Sequence, residues 1–460
     1  MEARTGRRML TSDCKRILRG RGQDMVKRLS GLILIACMTA FSNSAALADD
    51  FHYTNLLIGE RASGMAGAYT AVSDDATGLY YNPAGTVYTS GRSLSASVNA
   101  YYSTTKTYKN VIGGNGWERK SSSLLPNYFG VVQPLGKFKV GLSYAVPESI
   151  MSDQEQTFHD LQLNPSLQPF NPGVNITTYL INFNDESNTY NFGPSIAKEL
   201  TDNFSAGLTL YYYQRKTLRI LNQLIKTSNG GSERTTDYFH TSESGVRPIL
   251  GFMWSPLDNV SVGLAMSKVF INQSETSFHT SFQRENLAVG PNPGDSNAVS
   301  LPDAPSVTSQ KRIMPKQVSL GAAWFPSASL LLSADLNYFS VKNVGDIVTL
   351  KDTKEDFEDV LNFAVGAEYY LSRNFAVRAG FFTDYANTQK VGTGGVNQNE
   401  HIDIYGVTAS VSHFTGNTAV TVGGGTTYGQ GKTQIISGST AVQTASQQGW
   451  LLFLSSSYSY

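Results

Sequence analysis

The residues able to do chemistry are few and scattered. The six histidines, His52, His159, His240, His279, His401 and His413, are dispersed along the chain. No set of ligating side chains has metal-site spacing, and neither a P-loop nor a nucleophile elbow occurs. His401 and Asp403 are the one close pair of a base and an acid. Both cysteines, Cys14 and Cys37, fall within the first 48 residues, so the remainder has no disulfide framework and no thiolate chemistry. Catalysis, a bound metal and a cofactor are therefore not expected. What remains is recognition by charge and apolar surface. Arg247 and Arg378 lie in alternating stretches, opposite in parity to Val246/Pro248/Leu250/Phe252 and to Phe375/Val377/Ala379/Phe381. They share their face with Tyr211, Tyr213, Ile249, Met253 and Tyr370. An arginine beside such surface suits a ligand with an apolar body and a carboxylate, because the guanidinium is permanently charged and bidentate. Ion pairs with Asp335 and Glu368, on the same face, are the structural alternative for both arginines.

The elements that position these residues are strands. Apolar residues recur at every second position in Phe204–Leu210, Phe138–Tyr144, Val260–Met266, Leu330–Tyr338 and Trp450–Tyr460. Six short turn signals separate neighbouring strands, at 134–137, 200–203, 256–259, 326–329, 372–374 and 414–417. Their Gly, Pro, Asn and Asp residues suit tight hairpins. Aromatic residues crowd their flanks, including Phe138, Phe204, Trp254, Trp324, Tyr369 and Phe375. Long polar segments alternate with these turns, at 104–122, 151–187, 219–243, 271–313, 342–358, 387–400 and 429–447. One short connection followed by one long one is the pattern of a transmembrane antiparallel β-barrel, and thirteen connections predict fourteen strands. A soluble sandwich or propeller is disfavoured because the apolar faces carry no interrupting charges. The predicted third strand, Phe138–Ile150, contains Pro147, which cannot donate to the ladder. It marks either an irregularity or the strand's end. The alternating final strand closes on an aromatic residue, as expected for recognition by the outer-membrane assembly machinery, with Tyr460 in place of the commoner Phe.

The balanced charge of 36 basic and 36 acidic residues conceals two unlike parts. Residues 1–48 hold nine basic and three acidic residues, which leaves 27 basic against 33 acidic in the remainder. Such a body has no electrostatic reason to bind nucleic acid. From Met25, the expected true start, basic Lys27 and Arg28 precede the apolar run Gly31–Met38 and the cleavage site Ala46-Leu47-Ala48. This reads as an export signal, with Leu34-Ile35-Ala36-Cys37 as a competing lipoprotein box. After Ala48 no run approaches the ~18 apolar residues of a transmembrane helix. Charged residues make up 16% of the chain, below the roughly 25% of soluble domains.

Residues 49–91 do not alternate, and their density of Gly and Ala permits close backbone packing. A compact plug inside the lumen fits the segment's size. The block Gly59-x-Arg61-Ala62-x-Gly64-Met65-x-Gly67-Ala68, followed by Asp75 and by Asn82-Pro83-Ala84-Gly85, resembles the N-terminal hatch of the FadL/TodX/OmpP1 outer-membrane transporters. Ala66 stands where the family has Gly. The resemblance implies a leader (1–48), a hatch (49–91) and a fourteen-stranded barrel (92–460), monomeric in the Gram-negative outer membrane and in contact with its lipids. It further implies passive uptake of hydrophobic compounds, long-chain fatty acids or aromatic hydrocarbons. Ligand is captured among external segments, for which 219–243 and 271–313 with Phe270, Phe278, Phe282 and Leu287 are the candidates. It then moves to a lumen site and leaves through a kinked strand or past the hatch. Arg61 is expected to pair with Asp74 or Asp75. Two other readings stand beside uptake: a protein-binding adaptor in a secretion or assembly complex, and an open porin, against which the plug argues.

Overall fold

The computed structural model describes residues 51–54, 56–163, 167–301, 304–309, 311–312, 314–340, 357–396, 398–435 and 440–459. The export signal, both cysteines, Tyr460 and most of the predicted segment 342–358 lie outside the described residues.

Among the described residues, seventeen strands form one antiparallel sheet. They are β1 (Ser93–Ile112), β2 (Asn115–Leu135), β3 (Phe138–Gln162), β4 (Asn175–Thr201), β5 (Phe204–Thr227), β6 (Ser232–Leu257), β7 (Val260–Lys268), β8 (Phe270–Glu285), β9 (Ala298–Ser300), β10 (Ser306–Thr308), β11 (Lys316–Ser327), β12 (Leu330–Ser340), β13 (Val360–Ser372), β14 (Phe375–Asp384), β15 (His401–Phe414), β16 (Thr418–Thr433) and β17 (Gln443–Ser459). The sheet closes where β1 pairs with β17, from Ser93 opposite Ser459 to Lys109 opposite Thr444. Below the break at Val269, β7 pairs with β6, and above it β8 takes over that edge. Counting β7 and β8 as one wall strand, and setting aside the short β9 and β10, the barrel has fourteen strands.

All six predicted turns join strands at one end of the barrel, where Trp254, Trp324, Tyr369 and Phe375 are exposed on its outside. The alternation has the expected consequence. On β5, Leu208, Leu210 and Tyr212 face outward while Thr209, Tyr211 and Tyr213 are buried inside. An apolar outer band and a polar-to-mixed interior are what lipid on one side and a lumen on the other demand.

The long polar segments differ from the expectation. Most of 104–122, 219–243 and 429–447, and much of 151–187 and 271–313, is strand rather than loop. β4 alone has 27 residues, roughly 90 Å of strand, where crossing a bilayer needs about 9–11 residues. The wall therefore continues past the apolar band. Its outer faces turn polar there, so the apolar signal fades while the ladder does not. Within this extension, inward residues of β1–β5, among them Tyr108, Phe158, Tyr179 and Phe183, pack against Ile402, Ile404 and Ala445 of β15 and β17. An apolar core thus spans the interior near the outer mouth. Leu287, expected as a capture residue, is fully buried against Leu163 and Leu167 in a loop cluster and presents no surface.

β3 does not end at Ile150 but runs through Pro147 to Gln162. Its register against β4 shifts between Ala145 and Glu148. β2 and β3 pair only from Leu135–Phe138 up to Tyr128–Ala145. Beyond that level the two are bridged through side chains. Met151 N donates to Ser121 Oγ (3.1 Å) and Gln154 Nε2 to Lys120 O (2.9 Å). A seam in the wall results, at the height of Pro147.

Candidate functional site

The N-terminal segment comprises a short helix at Glu60–Gly64, another at Gly78–Tyr81 and a 3-10 turn at Pro83–Tyr88. It packs on inward faces around the circumference. Met65 and Tyr69 meet Ala323 and Leu331, Ala66 and Ala68 meet Ala364 and Phe382, Ile58 meets Tyr128 and Ala145, and Leu79 meets Val132. Its close fit depends on glycines in the wall. A Cβ on Gly263 would fall against the carbonyl of Thr70, and one on Gly380 against the backbone of Met65. Gly207, Gly251, Gly321 and Gly366 complete this belt beneath the segment.

Polar contacts fix the segment at several points. Arg61 Nε donates to Glu368 Oε2 (2.6 Å), and its Nη1 to Asp74 Oδ1 (2.5 Å). Arg378 shares the same Glu368, donating through Nη2 (2.9 Å) and Nε (3.2 Å) to Oε1, and also contacts Ser412. Asp335 accepts from the backbone N–H groups of Tyr69 (3.0 Å) and Thr70 (2.8 Å). Asn82 donates to Thr70 O and Phe252 O, and Ala84 N donates back to Asn82 Oδ1. Pro83 starts the 3-10 turn, where its missing N–H leaves no donor unpaired. The rest of the hatch-like motif serves local geometry. Gly59 and Gly67 have φ of 78° and 82°, Gly64 lies against Ser410 and Arg378, and Asp75 Oδ1 accepts from Thr77 N (2.7 Å).

Glu60 is buried and accepts from Ser455 (3.0 Å) and Ser457 (3.1 Å) of the closing strand. Burial, reinforced by the charge of Asp75 and opposed by Arg378, lifts its carboxyl above the ordinary value. A raised folded-state value means that the docked segment binds the proton more tightly than the released one. Docking is therefore firmer in acid and weakens as pH rises through the raised value. Proteolysis within 51–89 should be slower at about pH 5 than at about pH 7.5, and Glu60→Gln should flatten that dependence. An unchanged slope in the variant would assign the effect to another group.

Outward of the segment lies a cavity of about 260 Å³, lined by Leu56, Leu57, Tyr80, Tyr81, Pro147, Tyr213, Arg247, Ile249, Phe339 and Phe382, among others. Of the six residues expected to bind ligand, Arg247, Tyr213 and Ile249 line it. The other three do not. Arg378 is held by Glu368 beneath the segment, the Tyr211 hydroxyl bonds Ser143 Oγ (2.7 Å), and Met253 lies against Gly85 and accepts from Ser261 Oγ. Strand parity places all six on the inner face, but the N-terminal segment covers the lower three.

Arg247 differs from its neighbours. Among the described residues its guanidinium donates only to neutral groups, Tyr80 Oη (3.4 Å) and Gln317 Oε1 (3.3 Å), and it lies 5.1 Å from the Tyr80 ring centre. Arg312, which also lines the cavity and was not anticipated, is clasped by Glu243 through Nε (3.0 and 3.1 Å) and Nη2 (2.8 Å). Further out, Arg219 faces both oxygens of Asp185 (3.4 and 3.5 Å), and Arg119 stacks 4.2 Å from the Phe183 ring centre. The cavity reaches the wall seam at Pro147 and Glu148. There Leu56 N donates to Pro147 O (3.1 Å), and Asn127 Nδ2 of β2 donates to Leu57 O (2.9 Å). His401 Nε2 lies 3.9 Å from Asp403 Oδ2, and its Nδ1 meets both Thr388 O (2.7 Å) and Thr388 Oγ1 (3.3 Å).

Comparison with known proteins agrees with this architecture. A family model described as outer membrane protein transport protein (OMPP1/FadL/TodX) matches residues 183–394. No curated protein sequence matches. Among solved structures, a Pseudomonas aeruginosa FadL homologue is 16% identical with a TM-score of 0.58, covering 89% of this chain and 99% of its own. The Pseudomonas putida toluene transporter TodX is 13% identical (TM-score 0.61; 88% and 98% covered), and the Ralstonia pickettii toluene transporter TbuX is 14% identical (0.55; 88% and 98%). At these identities the structural likeness is one of fold. Over residues 183–394 the chain thus resembles the OMPP1/FadL/TodX outer membrane transport proteins, and its closed fourteen-strand barrel has the fold of the solved FadL homologue and TodX structures.

Proposed function

We propose that the protein takes up a long-chain carboxylate, a fatty acid, passively across the outer membrane. The observation that carries this reading is Arg247, a cation in a largely apolar cavity with no carboxylate partner among the described residues. Ligand gathers among the strand extensions, settles with its head at Arg247 and its tail along Ile249, Phe339 and Phe382, and then passes the N-terminal segment, which acts as a hatch. The wall seam at Pro147 supports lateral exit, because the cavity reaches it and Leu56 and Leu57 are tied to its two edges by single hydrogen bonds. A second reading, uptake of an aromatic hydrocarbon, draws support from Tyr80, Tyr81 and Phe339 around the same space, and from the fold shared with the toluene transporters TodX and TbuX.

Titrating the purified protein with palmitate and with toluene separates the two. Saturable palmitate binding with little dependence on salt is the expected result, since a desolvated ion pair is poorly screened. Toluene binding alone favours the hydrocarbon reading. Binding of neither, with a stable protein partner recovered by pull-down, replaces both with an adaptor role. Large steady conductance in planar bilayers argues for an open porin.

A further inference from the structure

We infer that Lys268 and Lys316 form a phosphate-binding pair on the outside of the barrel, made to hold a phosphorylated lipid of the outer leaflet. The two lysines end the β7–β11 ladder as direct cross-strand partners. They follow the parity of Met266, Val318 and Leu320, the lipid-facing side, with Lys316 exposed and Lys268 partly so; Lys268 also borders the cavity, which reaches the wall at the break at Val269. Like charges directly opposed across a ladder destabilise it, so an unopposed pair calls for a shared anion. Neither ammonium has a carboxylate partner among the described residues. Lys268 instead lies 5.5 Å from the Phe270 ring centre. Asp359, near the same rim, accepts from the Tyr338 hydroxyl.

Height supports the assignment. The pair sits eight positions above Val260 and Trp324, which oppose each other beside the short turns. Eight residues are roughly 26 Å of strand, or about 20 Å along the barrel axis at the usual tilt. That places both ammonium groups close to the outer edge of an apolar band about 25 Å tall. Directly below them Met266, Leu320 and Leu336 are exposed for acyl chains, and Phe270 and Tyr338 are exposed beside them. A phosphate between two compact ammonium groups, with chains running down an apolar wall, is the shape of a phosphorylated glycolipid rather than of a soluble anion. Lysine's three rotatable donors suit such a headgroup.

The test uses full-length protein in detergent micelles, with bis-phosphorylated lipid A as probe. Lys268→Gln combined with Lys316→Gln should weaken lipid A binding by about tenfold or more, the loss expected for charge-assisted hydrogen bonds. Lys268→Arg with Lys316→Arg should retain it. Dephosphorylated lipid A should bind the native protein as weakly as lipid A binds the glutamine variant. Unchanged heat-modifiable gel mobility establishes that the variants are folded. Equal lipid A binding by native and glutamine proteins, or equal binding of the dephosphorylated lipid, overturns the assignment. Stoichiometric displacement of lipid A by inorganic phosphate would also overturn it, by making the pair a site for the free ion.

Discussion

Arg247→Gln should lower palmitate affinity by about ten- to a hundredfold while leaving toluene binding and barrel stability nearly unchanged. The magnitude follows from the contacts. Among the described residues the guanidinium has only long bonds, to Tyr80 and Gln317 at 3.4 and 3.3 Å. A carboxylate arriving there gains hydrogen bonds to a charged donor, worth about 1.5–3 kcal/mol, and each ~1.4 kcal/mol is tenfold in affinity. Stability should hold because no buried acid loses its counter-ion. Arg378→Gln provides the contrast. It withdraws a partner from Glu368 and should loosen the N-terminal segment without touching the ligand. Isothermal titration of both variants with both ligands checks the pattern. A palmitate affinity that survives Arg247→Gln would remove Arg247 from the site and with it the main support for a carboxylate substrate.

The second large effect is expected at Glu368. This carboxylate is fully buried and serves two cations, Arg61 from the N-terminal segment and Arg378 from the wall. Nearby guanidinium charges and their hydrogen bonds make it the electrostatic tie between the two parts. Glu368→Ala leaves two guanidinium groups facing each other without a counter-charge. Removing one partner of a buried pair costs about 3–5 kcal/mol. The wall is secured by continuous ladders on both sides of β13, so the strain should appear as release of the segment rather than as loss of the barrel. Expected results are faster proteolysis within 51–89 and higher conductance in planar bilayers, approaching that of a protein lacking Asp49–Gly85. Glu368→Gln, which keeps some hydrogen bonds, should be intermediate. A tightly closed Glu368→Ala protein would mean that Asp335 and Asn82 suffice to hold the segment.

Much of the fold was legible in the sequence because its signal is local. Alternation of period two, the six turn clusters and the aromatic flanks each span only a few residues, and lipid outside with a lumen inside forces those patterns. The strand extensions were misread as loops for a related reason. Above the apolar band, the half-buried outward positions of Thr178–Ser187 on β4 are mostly polar (Thr178, Asn182, Asn184, Glu186), while the buried inward ones mix Tyr179, Ile181 and Phe183 with Asp185 and Ser187. Hydropathy therefore loses contrast although every residue stays paired with β3 or β5. The glycine belt was visible only as a surplus of glycine. Its meaning depends on which wall positions the N-terminal segment crosses.

By itself the sequence determined a closed, lipid-facing barrel, the parity that turned Arg247 and Arg378 inward, and a small-residue segment ahead of the first strand. Those properties follow from backbone periodicity and from the contrast between apolar and polar neighbours. The tertiary structure decided how the two arginines differ. Arg61 and Glu368 lie 307 positions apart in the chain, and Arg247 and Gln317 lie 70 apart. Whether an inward arginine meets an acid depends on strand register around the barrel and on where the segment folds across the lumen. No local pattern encodes either. Arg378 thus became part of a buried ionic tie, and Arg247 was left with neutral partners, among the described residues, in a cavity of about 260 Å³.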